Sequence, residues 1–264
     1  MQLEILHTPS PQPRTGMPPL LFVHGAYTHA ACWQIHFLPW LAAQGLTAYA
    51  VSLPGHGNSP DANQLQQYGL ADYVHAVQHA MRQLPALPVL IGHSLGGAIV
   101  QNILCHAPAA GVVLMNSVPP YGTLPATYRV AGQQPQLWWQ LQQNLWMSGQ
   151  QGSLNTLRDA LFGPDLSDAE ISAYYPLLQA ESMRALWDLS VLGWMPQAPL
   201  HKQPALVLAG ACDALFSAAD ARACATRLHT HVTTLPRLGH AMMLDAGWQS
   251  AAQALLDWME HNFS

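Results

Sequence analysis

Charge is scarce in this chain. Of 264 residues, 9 % are Asp, Glu, Lys or Arg, against about 25 % in an average soluble protein. Lys202 is the single lysine, the eight arginines stand apart from one another, and the formal net charge is −5. Nucleic acids and anionic lipid surfaces demand clustered basic residues, so neither is an expected partner. Long apolar runs are missing too. None approaches the roughly 20 residues of a membrane-spanning helix, which excludes an integral membrane segment of that kind. Met1-Gln2-Leu3-Glu4-Ile5-Leu6-His7 lacks the basic start and long apolar core of a secretion signal, so a cytoplasmic location is the expectation. Cysteine is sparse: Cys32, Cys105, Cys212 and Cys224 show no C-x-x-C spacing and read as reduced, mostly buried small residues. Histidine is plentiful, at fourteen. No His, Asp or Glu set has a metal spacing such as H-E-x-x-H, so neither metal nor other cofactor is expected. No feature signals an oligomeric state.

What is present is apolar: half of the residues are hydrophobic, enough for a sizeable core. Continuous apolar runs mark strands buried on both faces. They lie at 20–23, 88–91, 112–115 and 205–209, with further strands at 46–51 and 232–235 and a short edge strand at 3–7. Helical spacing or helix stop signals fall between them, at about 31–44, 70–84, 95–106, 217–228 and 247–261. Strands alternating with helices of this length predict βαβ units and a mostly parallel sheet with helices on both faces. The alternation halts from about 121 to 202, where the text turns helical and rich in Gln and Trp. The expected organisation is therefore a core domain of residues 1–120 and 203–264 with a helical cap, 121–202, inserted in it.

The stretch on which function turns is Pro88-Val89-Leu90-Ile91-Gly92-His93-Ser94-Leu95-Gly96-Gly97-Ala98. It reads as a buried strand, a tight turn and a new helix. The form Gly-x-Ser-x-Gly is that of a nucleophile elbow, which lifts a serine hydroxyl above the sheet. A Gly/Ser loop of no chemical importance would give the same five letters, so partners are needed. A serine nucleophile requires a base and a group that orients the base. Past the strand at 205–209 stands Asp213; past the strand at 232–235 stands Gly239-His240. The strand end after Met115 offers Asn116 and Ser117 and no carboxylate. An oxyanion hole would use the backbone N–H of Leu95 and that of Ala26, or else Tyr27, in the loop after the strand at 20–23. His24, His56 and His93 sit at strand-end turns and read as holders of loops, with His93 and Tyr27 also candidates to touch substrate.

These stretches resemble the α/β-hydrolase superfamily over nearly the full chain. Phe22-Val23-His24-Gly25-Ala26, Ser52-Leu53-Pro54-Gly55-His56-Gly57-Asn58-Ser59, Gly92-His93-Ser94-Leu95-Gly96-Gly97 and the order Ser94…Asp213…His240 carry the resemblance. It implies the α/β-hydrolase fold with Ser94, Asp213 and His240 as catalytic triad. His24-Gly25-Ala26-Tyr27 followed by Cys32-Trp33 is similar to the esterase and hydroxynitrile-lyase branch, but Ala241 and Met242 stand where lyases carry a lysine. Serine at the elbow disfavours the aspartyl-ester chemistry of haloalkane dehalogenases and epoxide hydrolases.

The expectation is a serine hydrolase of a small to medium, largely apolar carboxylic ester. Thioester and carbon–carbon bond hydrolysis use the same triad and stay open; a non-catalytic receptor on this fold would normally have lost a triad member. The expected cap carries Trp138, Trp139, Trp146, Trp187 and Trp194 with Met147, Met183 and Met195. Trp138, Trp146 and Trp187, with Met242, are the candidates to line an apolar pocket. Arg129, Arg158 and Arg184 are the basic residues there and read as surface side chains.

Overall fold

The computed structural model describes residues 2–146, 153–190 and 200–263. The chain opens with strands β1 (Ile5–Thr8) and β2 (Leu20–Val23), helices α1 (Ala31–Gln34) and α2 (Phe37–Ala43), and strand β3 (Ala48–Val51). Helix α3 (Leu70–Met81), strand β4 (Val89–His93), helix α4 (Leu95–Ile103) and strand β5 (Gly111–Met115) follow. Helices α5 (Leu124–Gln133), α6 (Pro135–Trp146), α7 (Leu154–Leu161), α8 (Asp168–Ala173) and α9 (Met183–Ser190) lie between β5 and strand β6 (Ala205–Gly210). Helix α10 (Ala218–Arg227), strand β7 (Val232–Leu235) and helix α11 (Trp248–Phe263) come last.

The strands form one seven-stranded sheet among the described residues, in the order β1-β3-β2-β4-β5-β6-β7. Only the edge pair β1–β3 is antiparallel within it. Side chains of β2 alternate across the sheet. Leu20 and Phe22 join a cluster with Trp33, Phe37 and Leu255; Leu21 and Val23 join another with Tyr73, Val77 and Ile99. A strand walled by helices on both faces needs an unbroken apolar run, which is why its sequence does not alternate. Parallel pairing brings the carboxyl ends of β2, β4, β5, β6 and β7 to one edge of the sheet. Val23 lies level with Gly92, His93 with Met115, and Gly210 with Leu235.

Most boundaries shift by one or two residues, and three helices depart further from the sequence expectation, each for a local reason. Residues 31–44 form two short helices instead of one. Pro39 cannot donate an N–H, and its ring would clash with the carbonyl four residues back. The helix restarts at Phe37, which puts Pro39 in a first turn, where it is tolerated. Helix α3 ends at Met81, three residues early. The N–H groups of Gln83 and Leu84 bond the carbonyls of Ala80 and Met81 in a tighter turn, and Pro85 disfavours helix at the residue before it. Helix α4 closes the same way, His106 N–H reaching back to Ile103.

The segment between β5 and β6 has a small cluster of its own: Val130, Leu137 and Ala160, with Trp138, Leu161 and Ala214 against it. Elsewhere it borrows the core of the sheet. Phe162, Leu166 and Ile171 join the Trp33 cluster, and Ala185 and Leu189 the Tyr73 cluster.

Candidate active site

Strand β4 and helix α4 meet so closely that only glycine fits. A Cβ added to Gly92 would stand 2.5 Å from the Gly96 carbonyl oxygen and 2.6 Å from the Gly97 Cα. Between them Ser94 takes φ 51° and ψ −116°, a left-handed value that costs a non-glycine residue on the order of 1–3 kcal/mol. Surrounding bonds hold it there. Ser94 N–H donates to the Met115 carbonyl at 3.2 Å, and its own carbonyl accepts from Gly97 N–H at 3.0 Å and Val118 N–H at 3.2 Å. Leu95 is the first residue of α4, so its N–H has no acceptor within the helix, and the positive end of the helix dipole lies there.

The loops after β6 and β7 bring Asp213 and His240 together. His240 Nδ1 and Asp213 Oδ2 are 2.9 Å apart, with side chains 4 % and 1 % exposed. The other carboxylate oxygen of Asp213 accepts the N–H groups of Leu215 and Phe216 at 2.8 and 3.0 Å. Both oxygens thus face donors, so Nδ1–H is the tautomer that suits the carboxylate and leaves His240 Nε2 free to accept a proton. Phe216 packs its ring at 5.5 Å from that of His240.

The loop after β2 runs beside the serine. A Cβ added to Gly25 would stand 3.0 Å from Ser94 Cβ, so the loop that continues into Ala26 and Tyr27 passes next to Ser94. Tyr27 has φ 64°. His24, fully buried, donates from Nδ1 to the Gly25 carbonyl at 2.8 Å and accepts Leu53 N–H at Nε2, 3.0 Å. Burial, with the positive charge His56 carries, holds its pKa well below the ordinary imidazole value, so it braces this loop as a neutral ring.

Other expected contacts fall differently. His93 is buried at 5 % exposure and donates from Nε2 to the His240 carbonyl at 2.9 Å. Burial, reinforced by the neighbouring His240, lowers its pKa to about 3. It joins two loops as a neutral ring and does not stand open to a substrate. Met242 is fully buried in the Trp33 cluster, where it acts as core. Trp187 is 71 % exposed, too far into solvent to roof an enclosed pocket. Trp138 packs against the small cluster of Val130, Leu137 and Ala160, with its indole N–H buried and unpartnered among the described residues. The Trp146 side chain, Met147, Trp194 and Met195 lie outside the described residues. No group of three His, Cys, Asp or Glu side chains among the described residues converges as a metal site would, and no helix among them is long and apolar enough to cross a membrane.

Sequence reasoning passed over three polar groups. The Asn116 amide bonds Gly210, Gly239 and His240. Asp245, buried, accepts Gly239 N–H and Gly163 N–H, both at 2.7 Å. Glu181, buried, accepts Tyr73 O–H at 2.9 Å and Ser182 N–H at 2.7 Å, and pairs with His56 Nε2 at 3.2 Å. A polar residue ending an apolar strand marks Asn116. For the two carboxylates only burial distinguishes them, and burial is not written in the sequence.

The profile of the Alpha/beta hydrolase family matches residues 20–254. The dihydrolipoyllysine-residue acetyltransferase component of an acetoin cleaving system from Pseudomonas putida is 31 % identical over 255 residues, 93 % of this chain and 65 % of that protein. A pyrethroid hydrolase of Sphingobium wenxiniae is 29 % identical over 117 residues, 43 % of this chain and 41 % of its own length. The chain thus matches less than two thirds of the length of either curated relative. Among solved structures, an esterase from Exiguobacterium antarcticum superposes with a TM-score of 0.74 at 15 % identity, over 98 % of this chain and 95 % of that one. At that identity the likeness is one of fold.

Proposed function

The chain belongs to the alpha/beta hydrolase family, and on that footing we propose that it is a serine hydrolase of carboxylic esters acting through an acyl-enzyme. The observation that carries the reading is the His240–Asp213 contact of 2.9 Å, both side chains almost wholly enclosed, with the His240 ring 4.8 Å from that of His93, the residue before Ser94 and its φ of 51°. Ser94 Oγ attacks the ester carbonyl carbon while His240 Nε2 takes its proton. Asp213 fixes the Nδ1–H tautomer and stabilises the imidazolium. The N–H groups of Leu95 and Ala26 hold the oxyanion; each such donor is worth about 100- to 1000-fold in rate. Collapse breaks the bond to the alkoxy oxygen, which leaves as an alcohol with the proton from His240. Water, deprotonated by His240, then attacks the acyl carbon, and the acid departs with Ser94 restored.

The substrate is small to medium and largely apolar. Scarcity of basic side chains supports this, residues 121–202, proposed here as a cap, holding three arginines and one lysine. The family's esterase and the pyrethroid hydrolase are in keeping with hydrolysis.

A panel of p-nitrophenyl esters of increasing acyl length, run beside matched thioesters, tests bond and chain preference. Ser94→Ala is expected to lower kcat/KM by on the order of 10⁴-fold or more and to abolish labelling by a fluorophosphonate probe. Full hydrolysis by the variant would refute the reading.

A further inference from the structure

Asn116 is the first residue after β5, at a strand end that contributes no catalytic carboxylate. It has φ 43°, a left-handed value that asparagine tolerates better than most residues. Its backbone stays in the sheet, N–H donating to the Leu208 carbonyl at 3.0 Å. The side chain turns into the gap between the two loops that follow β6 and β7. Nδ2 donates to the Gly239 carbonyl and the His240 carbonyl, both at 2.9 Å, and Oδ1 accepts Gly210 N–H at 2.8 Å. An amide has two N–H donors and a carbonyl acceptor, and here each has a partner. The reverse orientation would set an oxygen against two carbonyls, so this one is fixed by chemistry.

The three bonds reach the acid-bearing loop at its root and the base-bearing loop at the base itself. The His240 carbonyl also accepts His93 Nε2–H at 2.9 Å, one residue before Ser94. Packing alone does not secure the acid loop. A cavity of about 140 Å³ lies between it and α10, bordered by Asn116, Asp213, Phe216, Ser217, Cys224 and Thr234. A loop with open space behind it depends on directed bonds for its position.

We propose that Asn116 is the positioning residue of the triad: its amide clamps the Gly210 and His240 loops together and thereby holds the Asp213–His240 pair in register beneath Ser94. The inference rests on His240 being the base, and the test separates the two. Asn116→Asp keeps shape and acceptor but loses the paired donors; Asn116→Leu loses all three bonds. Both are expected to melt cooperatively, with kcat for p-nitrophenyl ester lowered about 10- to 100-fold, the size of a misplacement near 1 Å. KM should stay within about twofold, because substrate binding is untouched. In proton NMR the far-downfield Nδ1–H resonance of His240, assigned by its loss in His240→Ala, should weaken or vanish in both variants. Folded variants with unchanged kcat and an unchanged resonance would overturn the proposal. Failure of both to fold would also overturn it, leaving Asn116 a role in stability alone. If the wild-type protein hydrolyses no ester, the functional reading fails, while the resonance still decides whether Asn116 positions His240.

Discussion

A single methyl group is enough to disturb the elbow. At Gly92 it would fall 2.5 Å from the Gly96 carbonyl oxygen, a backbone atom that cannot rotate away. Gly92→Ala is therefore expected to lose about 1–3 kcal/mol or more through overpacking. At about 2–4 °C per kcal/mol for a chain of this size, a thermal melt should drop by several degrees. An unchanged midpoint would show that strand and helix are not in fact wedged. At this scale the sequence was readable where chemistry dictates residue type: Gly92, Ser94, Gly96, Asp213 and His240 all declare themselves. His93 does not. Its type suits contact with a substrate as well as a bond to a carbonyl, and the choice depends on which way the ring turns once β4 is paired.

Among the elements, helix α9 is tied to the body of the fold through Glu181, two residues before its start. Glu181 meets His56 from the loop after β3 and Tyr73 of α3. Burial works against a charge on His56, but the hydrogen bond and attraction of Glu181 outweigh it and raise its pKa. Its Nδ1 also faces the Pro54 carbonyl at 3.0 Å, so both ring nitrogens donate and the ring is an imidazolium. Removing one partner of such a pair leaves a buried charge uncompensated, at a cost of about 3–5 kcal/mol. Glu181→Gln should show that loss in urea unfolding near pH 6. A base whose folded pKa is raised contributes fully below the ordinary value near 6.5 and loses the contribution as pH rises through the raised value. The gap between Glu181→Gln and wild type should therefore narrow toward alkaline pH; a gap independent of pH would count against the ion pair. A second tie joins α5 to α10, where buried Asp220 pairs with Arg129 at 2.9 Å and accepts Tyr121 O–H. Burial alone would raise the Asp220 pKa, but the hydrogen bonds from Tyr121 and Ser217 and the charge of Arg129 lower it. Of these elements the sequence announced the helices but not the ties, because Glu181 and Asp220 sit in stretches whose spelling is that of ordinary polar surface.

For the molecule as a whole, neutral buried histidines set the response to acid. His24 and His93 are buried with lowered pKa, His93 at about 3, both chiefly from burial. His29 and His36 are lowered to a lesser degree, again chiefly by burial. In the unfolded chain all four take up protons below about pH 6.5. The unfolded state then binds more protons than the folded one, so stability is full above that value and falls as pH drops below it. His56 works in the opposite direction but is one ring against four. The melting midpoint should decline steadily from pH 6.5 to 4.5; a flat or rising midpoint would mean that these rings are not held neutral.

The sequence by itself determined the alternation of strands and helices and the loops that carry Ser94, Asp213 and His240. Those depend on local signals: unbroken apolar runs, glycines where two backbones touch, and a serine, an aspartate and a histidine each placed just past a strand end. Boundaries slipped where proline acted at a distance of a few residues, as at Pro39 and Pro85. Tertiary structure alone decided which polar groups became interior. Glu181 and Asp245 are spelled like surface residues, and the polar end of β5 at Asn116 does not say what its amide will bond. Parallel pairing of β4 through β7 brought distant loops to one edge, and each buried donor or acceptor there then needed a partner. It also turned His93 and Met242 inward and left Trp187 in solvent, because burial is a property of the packed whole and not of any stretch of chain.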